Sequence, residues 1–370
     1  MIVRALLLVL VLLASTAAHA QRPPVTEPPG GVTRVTLTHG FDRSAPEGLE
    51  LWAARTVLGY GESAQGHGRL HVTCTDDPAR GRCPQADTGQ GPVGPAPLWL
   101  EFREQRSGQR IALALSGSLE RIEWERNCSD DYWDKAIFPL WTSEHRDCHI
   151  APTGTAAMLV LEASEIVQLV AGRWQGELHL DLRRSGGALV GRHEFVLEIA
   201  VIDPARATLH LPAFGTSSGR LQLPLDYRAL PLPASIGGSA KLELCLYDGV
   251  GAHSPHVLLS AHATRQSGAD PFFSIWHEGG GQGPQDRIDY RLRLHRGERE
   301  WELDNHAEVT LDGMDSAPLR AVTLPGLPHP VYCVPMVMTL RVPRVPAADK
   351  RHGRYQGDLV LRMRLPTRRP

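Results

Sequence analysis

From residue 32 onward the chain alternates apolar and polar positions with a period of two. The pattern is clear in Val35-Thr36-Leu37-Thr38, Leu70-His71-Val72-Thr73-Cys74 and Ile111-Ala112-Leu113-Ala114-Leu115. In Leu178-His179-Leu180-Asp181-Leu182 the two kinds of residue separate strictly. It returns in Leu221-Gln222-Leu223, Leu242-Glu243-Leu244-Cys245-Leu246, Tyr290-Arg291-Leu292-Arg293-Leu294 and Leu359-Val360-Leu361-Arg362-Met363. Side chains alternate across a strand, so this period predicts strands with one buried face. Glycine and proline punctuate these runs at short intervals, the layout of β-sandwiches. Helical periodicity is confined to Ala163–Ala171, where one short helix or turn is expected. The fold class expected is all-β.

Residues 1–20 stand apart. Arg4 precedes an apolar stretch, Ala5 to Ala14, and Ala18-His19-Ala20 fits a small-residue cleavage site, the composition of an export signal. The remaining 350 or so residues exceed what one hydrophobic core usually supports, so two domains are expected. The boundary is placed at Pro204-Ala205-Arg206, because proline stops the ladder after the alternating run Phe195–Ile202 and a new strand begins near Thr208. The expected division is signal 1–20, first domain 21–203, linker 204–206 and second domain 207–370. The leader Gln21–Gly31 holds four prolines and cannot serve as a long strand.

Six cysteines after an export signal point to disulfides in an oxidising compartment. They admit several pairings. Proximity favours Cys74/Cys83, Cys128/Cys148 and Cys245/Cys333, with four cysteines in the first half of the mature chain and two in the second.

The formal charge of -2 gives no support to a nucleic-acid partner. Of 39 basic residues only Lys135, Lys241 and Lys350 are lysine. Codon usage in a GC-rich genome accounts for that bias, so any one arginine needs positional support.

Several motifs suggest chemistry that their context denies. Gly215-Thr216-Ser217-Ser218-Gly219 matches a nucleophile elbow, but that motif needs a strand-to-helix turn, and its flanks are strand-like. The groups His145/Cys148/His149 and His253/His256/His262 lack a converging set of four ligands, so no metal site and no cofactor are expected. Asp130, Asp131 and Glu144 could serve paired-carboxylate chemistry in a secreted carbohydrate-active enzyme, the alternative function to be weighed. Arg183 and Arg184 carry more positional weight. In the register of Leu178, Leu180 and Leu182, Arg184 would point inward, so the strand must end there, with Ser185-Gly186-Gly187 as the turn.

At Leu244-Cys245-Leu246-Tyr247-Asp248-Gly249 the chain resembles the minor tip adhesins of class 5 fimbriae, the family that also holds the cable-pilus initiators. The resemblance returns in Ala321-Val322-Thr323-Leu324-Pro325, Val331-Tyr332-Cys333-Val334-Pro335 and Gly357-Asp358-Leu359-Val360-Leu361. In the first half it rests on Cys74 through Cys83-Pro84, the Cys128/Cys148 loop and the arginine doublet.

This resemblance implies two immunoglobulin-like sandwiches in tandem, with no catalytic residues. The first would be an adhesin that binds a host glycan receptor through Arg69, Arg183 and Arg184. The second would be an incomplete pilin fold lacking its last strand. A periplasmic chaperone fills that groove first, and the N-terminal strand of a major pilin subunit fills it after passage to the outer-membrane usher. The chain would then reach the cell surface at the fimbrial tip. Alternating residues stop after Leu365, and the proline-rich leader cannot donate a strand, which agrees with a tip position. Cys74/Cys83 and Cys128/Cys148 would brace the first domain and Cys245/Cys333 the second. Ser185 stands where a well-known member carries an aromatic residue, so receptor identity is not transferred. A structural initiator that binds no receptor is a further alternative.

Overall fold

A computed structural model describes residues 22–89, 93–125, 132–145, 150–265 and 271–365. Cys128, Cys148, His149, Asp130 and Asp131 lie outside the described residues, as does the chain after Leu365. The protein divides into two compact units, one formed chiefly by the chain up to Ala200 and the other chiefly by the chain from Val201 onward. Both are β-sandwich domains.

The first unit contains β1 (Gly31–Asp42), β2 (Leu49–Tyr60), β3 (His71–Cys74), β4 (Ala96–Glu104), β5 (Arg110–Ile122), β6 (Trp133–Phe138), β7 (Gly154–Leu161), β8 (Gly172–Arg183) and β9 (Leu189–Ile202). They hydrogen-bond in the order β1-β9-β8-β4-β5-β7-β2, with β3 joined to β8 and β6 to β5. Ala163–Ile166 forms one helical turn, α1, shorter than the stretch the sequence suggests. The alternating leucines point inward as expected: Leu98 and Leu100 on β4, Leu113, Leu115 and Leu119 on β5, and Leu178, Leu180 and Leu182 on β8 are all fully buried. Trp174, Phe102 and Phe195 are among the largest buried apolar side chains of this core.

The second unit contains β10 (Thr208–His210), β11 (Leu225–Arg228), β12 (Ser235–Tyr247), β13 (His256–Ala263), β14 (Phe273–His277), β15 (Arg287–Arg296), β16 (Arg299–Leu303), β17 (Glu308–Asp312), β18 (Arg320–Val322), β19 (Val331–Pro346), β20 (Tyr355–Gln356) and β21 (Leu359–Arg364). One sheet runs β10-β12-β19-β15-β14-β20, and a three-stranded sheet runs β17-β13-β21. Leu244, Leu246, Val257, Phe273, Leu292, Leu294 and Val334 lie at the centre of their shared core. Leu221-Gln222-Leu223 is not a strand, although Leu221 and Leu223 still pack on that core. Proline at position 224 removes a donor, and regular pairing begins only at Leu225. Gly215–Gly219 lies in turns with an isolated bridge, Leu211 to Thr216, and no helix follows.

Two disulfides are formed among the described cysteines. Cys74 on β3 bonds Cys83, with Cα atoms 5.4 Å apart, and Cys245 on β12 bonds Cys333 on the neighbouring β19 at 5.5 Å. Pro204–Arg206 is a single 3₁₀ turn following β9.

Candidate functional site

The three arginines gather at one end of the β3/β8 pair. β3 runs antiparallel to β8 with His71 opposite Arg183, so the segment preceding β3 and the turn following β8 leave the sheet together. β8 ends at Arg183. Gly186 and Gly187 adopt φ of 92° and 87°, a conformation side chains resist, and the turn closes through Gly187 N–H to the Arg184 carbonyl at 2.9 Å.

On the other side, residues 61–70 form two 3₁₀ turns, Ser63–Gln65 and His67–Arg69, hinged at Gly66. Gly68 passes so close to the Pro152 carbonyl that a Cβ would lie 1.6 Å from its oxygen, so only glycine fits. Arg184 Nη1 donates to the Gln65 carbonyl and ties the two segments together. Arg69 is exposed, with Nη2 3.4 Å from His145 Nε2.

Arg183 is fixed by three hydrogen bonds. Nε donates to Thr73 Oγ1 (3.1 Å), Nη1 to the Gly187 carbonyl (3.0 Å) and Nη2 to Asp181 Oδ2 (2.8 Å). Asp181 is buried, and its other oxygen accepts Arg192 Nε at 2.8 Å. That hydrogen bond is the main cause that raises the Arg192 guanidinium above its ordinary value. Arginine side chains thus roof the face of β8 that strict alternation assigns to solvent. His179 is buried there too, against Arg80, and burial lowers its pKa. The Asp181 carboxylate accepts from both guanidinium groups, and Glu194 and Asp76 add negative charge near Arg192.

Arg121 lies beneath the loops and was not singled out by sequence. It is fully buried, and burial lowers its pKa to about 9, so it is still charged at neutral pH. Its donors reach the carbonyls of Leu70 (2.7 Å), Thr142 (2.7 Å) and Glu144 (2.9 Å) and the hydroxyl of Thr155 (2.9 Å). It therefore pins the segment behind Arg69 to the segment that carries His145. A signal existed: Ile111, Leu113, Leu115 and Leu119 set an inward register on β5 in which Arg121 also falls.

Asp87 joins this region through Ser143. Burial pushes its carboxyl up, but hydrogen bonds from Ser143 and Gly89 outweigh that and hold it below the usual range. His71, buried beside it, is lowered by burial. Among the described residues no group of three or more histidine, cysteine or acidic side chains is arranged to hold a metal. The arginine end can donate forked N–H groups to carboxylates or hydroxyls, which suits an acidic or hydroxyl-rich glycan.

In the second unit the edge strand β21 pairs with β13 from Leu258↔Arg364 to Ala263↔Leu359. Its other edge has no strand partner among the described residues. Leu359, Leu361, Met363 and Leu365 pack against the core yet remain only partly buried, as do Leu221, Leu223 and Leu225.

Comparison with known proteins accords with both units. The family model for the first domain of CfaE, a CFA/I fimbrial protein, matches residues 16–204, and that for its second domain matches residues 207–367. Among solved structures, CfaE, the adhesive subunit of CFA/I fimbria of enterotoxigenic Escherichia coli, is 20% identical. That match covers 94% of this chain and 95% of CfaE with a TM-score of 0.73. A chaperone–tip adhesin complex of CFA/I fimbriae biogenesis is also 20% identical, covers 94% of this chain and 99% of its own, and gives a TM-score of 0.70. At this identity these structures show a shared fold. No curated protein matches by sequence. With consecutive models matching its two halves, the chain belongs to the CfaE family of CFA/I-type fimbrial proteins, whose members are fimbrial components and not enzymes.

Proposed function

We propose that this chain is an adhesive tip subunit whose first domain, residues 21–203, binds a host-surface glycan through Arg69, Arg183 and Arg184. Residues 204–206 are then the linker, and residues 207–370 form a pilin domain completed by a strand from another protein. A periplasmic chaperone supplies that strand first and a major pilin replaces it at the outer-membrane usher, the route along which the protein reaches the cell surface. The relative solved with its chaperone supports the first of these partners.

The observation that carries the assembly half is the open edge of β21. Its alternating face, Leu359, Leu361, Met363 and Leu365, packs on the core of the second unit yet stays partly exposed. An added strand would complete the main-chain hydrogen bonds of β21 and cover that row, the physics of strand addition. A peptide copying the N-terminal strand of the co-encoded major pilin should therefore raise the melting temperature. At 100 times its dissociation constant, linkage supplies about 2.7 kcal/mol. No shift with any candidate peptide rejects the assembly half.

The adhesive half rests on the convergence of three guanidinium groups, one exposed and two tied to the surrounding loops. Arg69→Ala and Arg183→Ala should each reduce binding to glycan-coated surfaces without loss of fold. Unchanged binding by both variants would refute the arginine site and leave a structural initiator.

A further inference from the structure

The loop that carries Arg69 has a second side. There Glu62, Ser63, Trp124, Glu125, Ile150 and Thr153 line a cleft of about 290 Å³, close to the lower limit of ligand-binding clefts. We infer that this cleft is a subsite for a neutral pyranose ring. The further claim that the ring belongs to the same glycan as the group held by the arginines rests on the adhesive reading above.

The walls are built rather than incidental. Thr153 is anchored on both sides, its N–H donating to the Ile122 carbonyl at 2.8 Å and its carbonyl accepting Gly61 N–H at 3.3 Å. Trp124 packs on Tyr60 with ring centroids 5.7 Å apart. The guanidinium of Arg22 lies 3.4 Å from the Trp124 ring centroid while its Nε donates to the Tyr60 hydroxyl at 2.8 Å. The indole is therefore held in one orientation, yet it stays partly accessible at the cleft. Ile150 adds an aliphatic wall that is 50% exposed. Glu62 and Glu125 are exposed, and the Glu62 carboxylate also caps the turn by accepting the Gln65 N–H.

That combination selects among ligands. A pyranose ring has an apolar C–H face, which an indole and an isoleucine can cover, and hydroxyls around its rim. Those hydroxyls can donate charge-assisted bonds to the two carboxylates. The exposed Ser63 hydroxyl can donate or accept. A carboxylated or phosphorylated sugar meets two like charges here. A cationic group meets the Arg22 guanidinium already stacked on the ring. The acidic part of a receptor is thus directed to the arginines and a neutral part to the cleft. The two regions are joined by the turn Ser63–Gln65, which offers Ser63 to one and the Gln65 carbonyl to Arg184 in the other.

The test titrates the mature full chain with the methyl glycosides of galactose, glucose and N-acetylglucosamine. Tryptophan fluorescence and saturation-transfer NMR report binding. At least one glycoside should bind with a dissociation constant under about 10 mM, in the range open to a single ring. Saturation should fall on its ring C–H protons. Glu62→Gln and Glu125→Gln, on exposed loop positions, should each weaken it about fivefold, the difference between a charge-assisted and a neutral hydrogen bond. Methyl glucuronide should not displace the bound glycoside.

Failure of all three glycosides to bind, or equal affinity in the Glu62→Gln, Glu125→Gln double variant, would overturn the subsite. So would displacement by methyl glucuronide, or preferential binding of methylguanidinium, which would make the cleft an anion or cation site. The arginine site is decided by the surface binding of its own variants, so either assignment can fail while the other stands.

Discussion

Arg121→Met tests whether a buried cation organises the arginine-bearing end of the first domain. Burial, net of the surrounding charges, lowers the Arg121 pKa to about 9, which corresponds to a cost of about 5 kcal/mol for holding the charge there. Four hydrogen bonds from a charged donor return about 1.5–3 kcal/mol each, or about 6–12 in total. Methionine recovers the burial term and much of the volume but takes the donor away from the carbonyls of Leu70, Thr142 and Glu144. The Thr155 hydroxyl keeps its own bond to the His67 carbonyl at 2.8 Å. The balance is a loss of about 1–7 kcal/mol, which brackets the 3–5 seen when one side of a buried charged contact is removed. Urea unfolding followed by tryptophan fluorescence and near-UV circular dichroism measures it. Arg121→Lys, with three donors on one nitrogen, should fall between the parent and the methionine variant. A methionine variant within about 1 kcal/mol of the parent would show that the loops hold themselves, and the reasoning would fail.

Asp181→Asn should lower thermal stability by about 2–3 kcal/mol and weaken the proposed glycan binding, because both Arg183 and Arg192 lose their buried counter-charge. Arg192→Gln, which leaves the Asp181–Arg183 bond in place, should retain more binding; the reverse order would show that Asp181 does not position Arg183. Burial lowers the pKa of His67, His71, His179 and His193, so the unfolded chain binds more protons on acidification. Their stabilisation is complete above the unfolded value of about 6.5 and is lost as pH falls below it towards the folded values, with a slope of at most about 1.4 kcal/mol per pH unit for each histidine. Unfolding midpoints at pH 7.5 and 5.5 should differ in that sense, and His193→Phe, beside Trp52 and Phe195, should reduce the slope. Replacing Cys245 and Cys333 by alanine releases a sequence separation of 88 and should cost about 4.6 kcal/mol, against about 2.6 for the Cys74/Cys83 pair with a separation of 9. Equal losses would reject the chain-entropy account.

The strands were legible because period-two alternation is a direct image of burial on one face. Leu178, Leu180 and Leu182 are placed inward by pattern alone, and the structure buries all three. Where a local feature overrides the pattern, the strand is lost: Pro224 delays pairing until Leu225. The end of β8 at Arg183 was legible for an energetic reason, since continuing the register would have turned Arg184 into the core.

The rest of the site was hidden by the assumption that a charged residue marks a solvent-facing position. Arg121 breaks it by finding carbonyls within reach in two loops remote in sequence, and Asp181 by gathering two guanidinium groups over itself. Neither set of partners is encoded locally. The inward register of β5 shows that Arg121 is buried, but not what satisfies it. The same logic runs in reverse at β21. There the pattern prescribes a buried face, and Leu359, Leu361 and Met363 stop halfway because no strand lies along that edge among the described residues. A buried charge with a full set of partners indicates a structure complete in itself. An apolar strand face left partly uncovered is what an added strand would cover, so the proposed assembly is tested most directly at that edge.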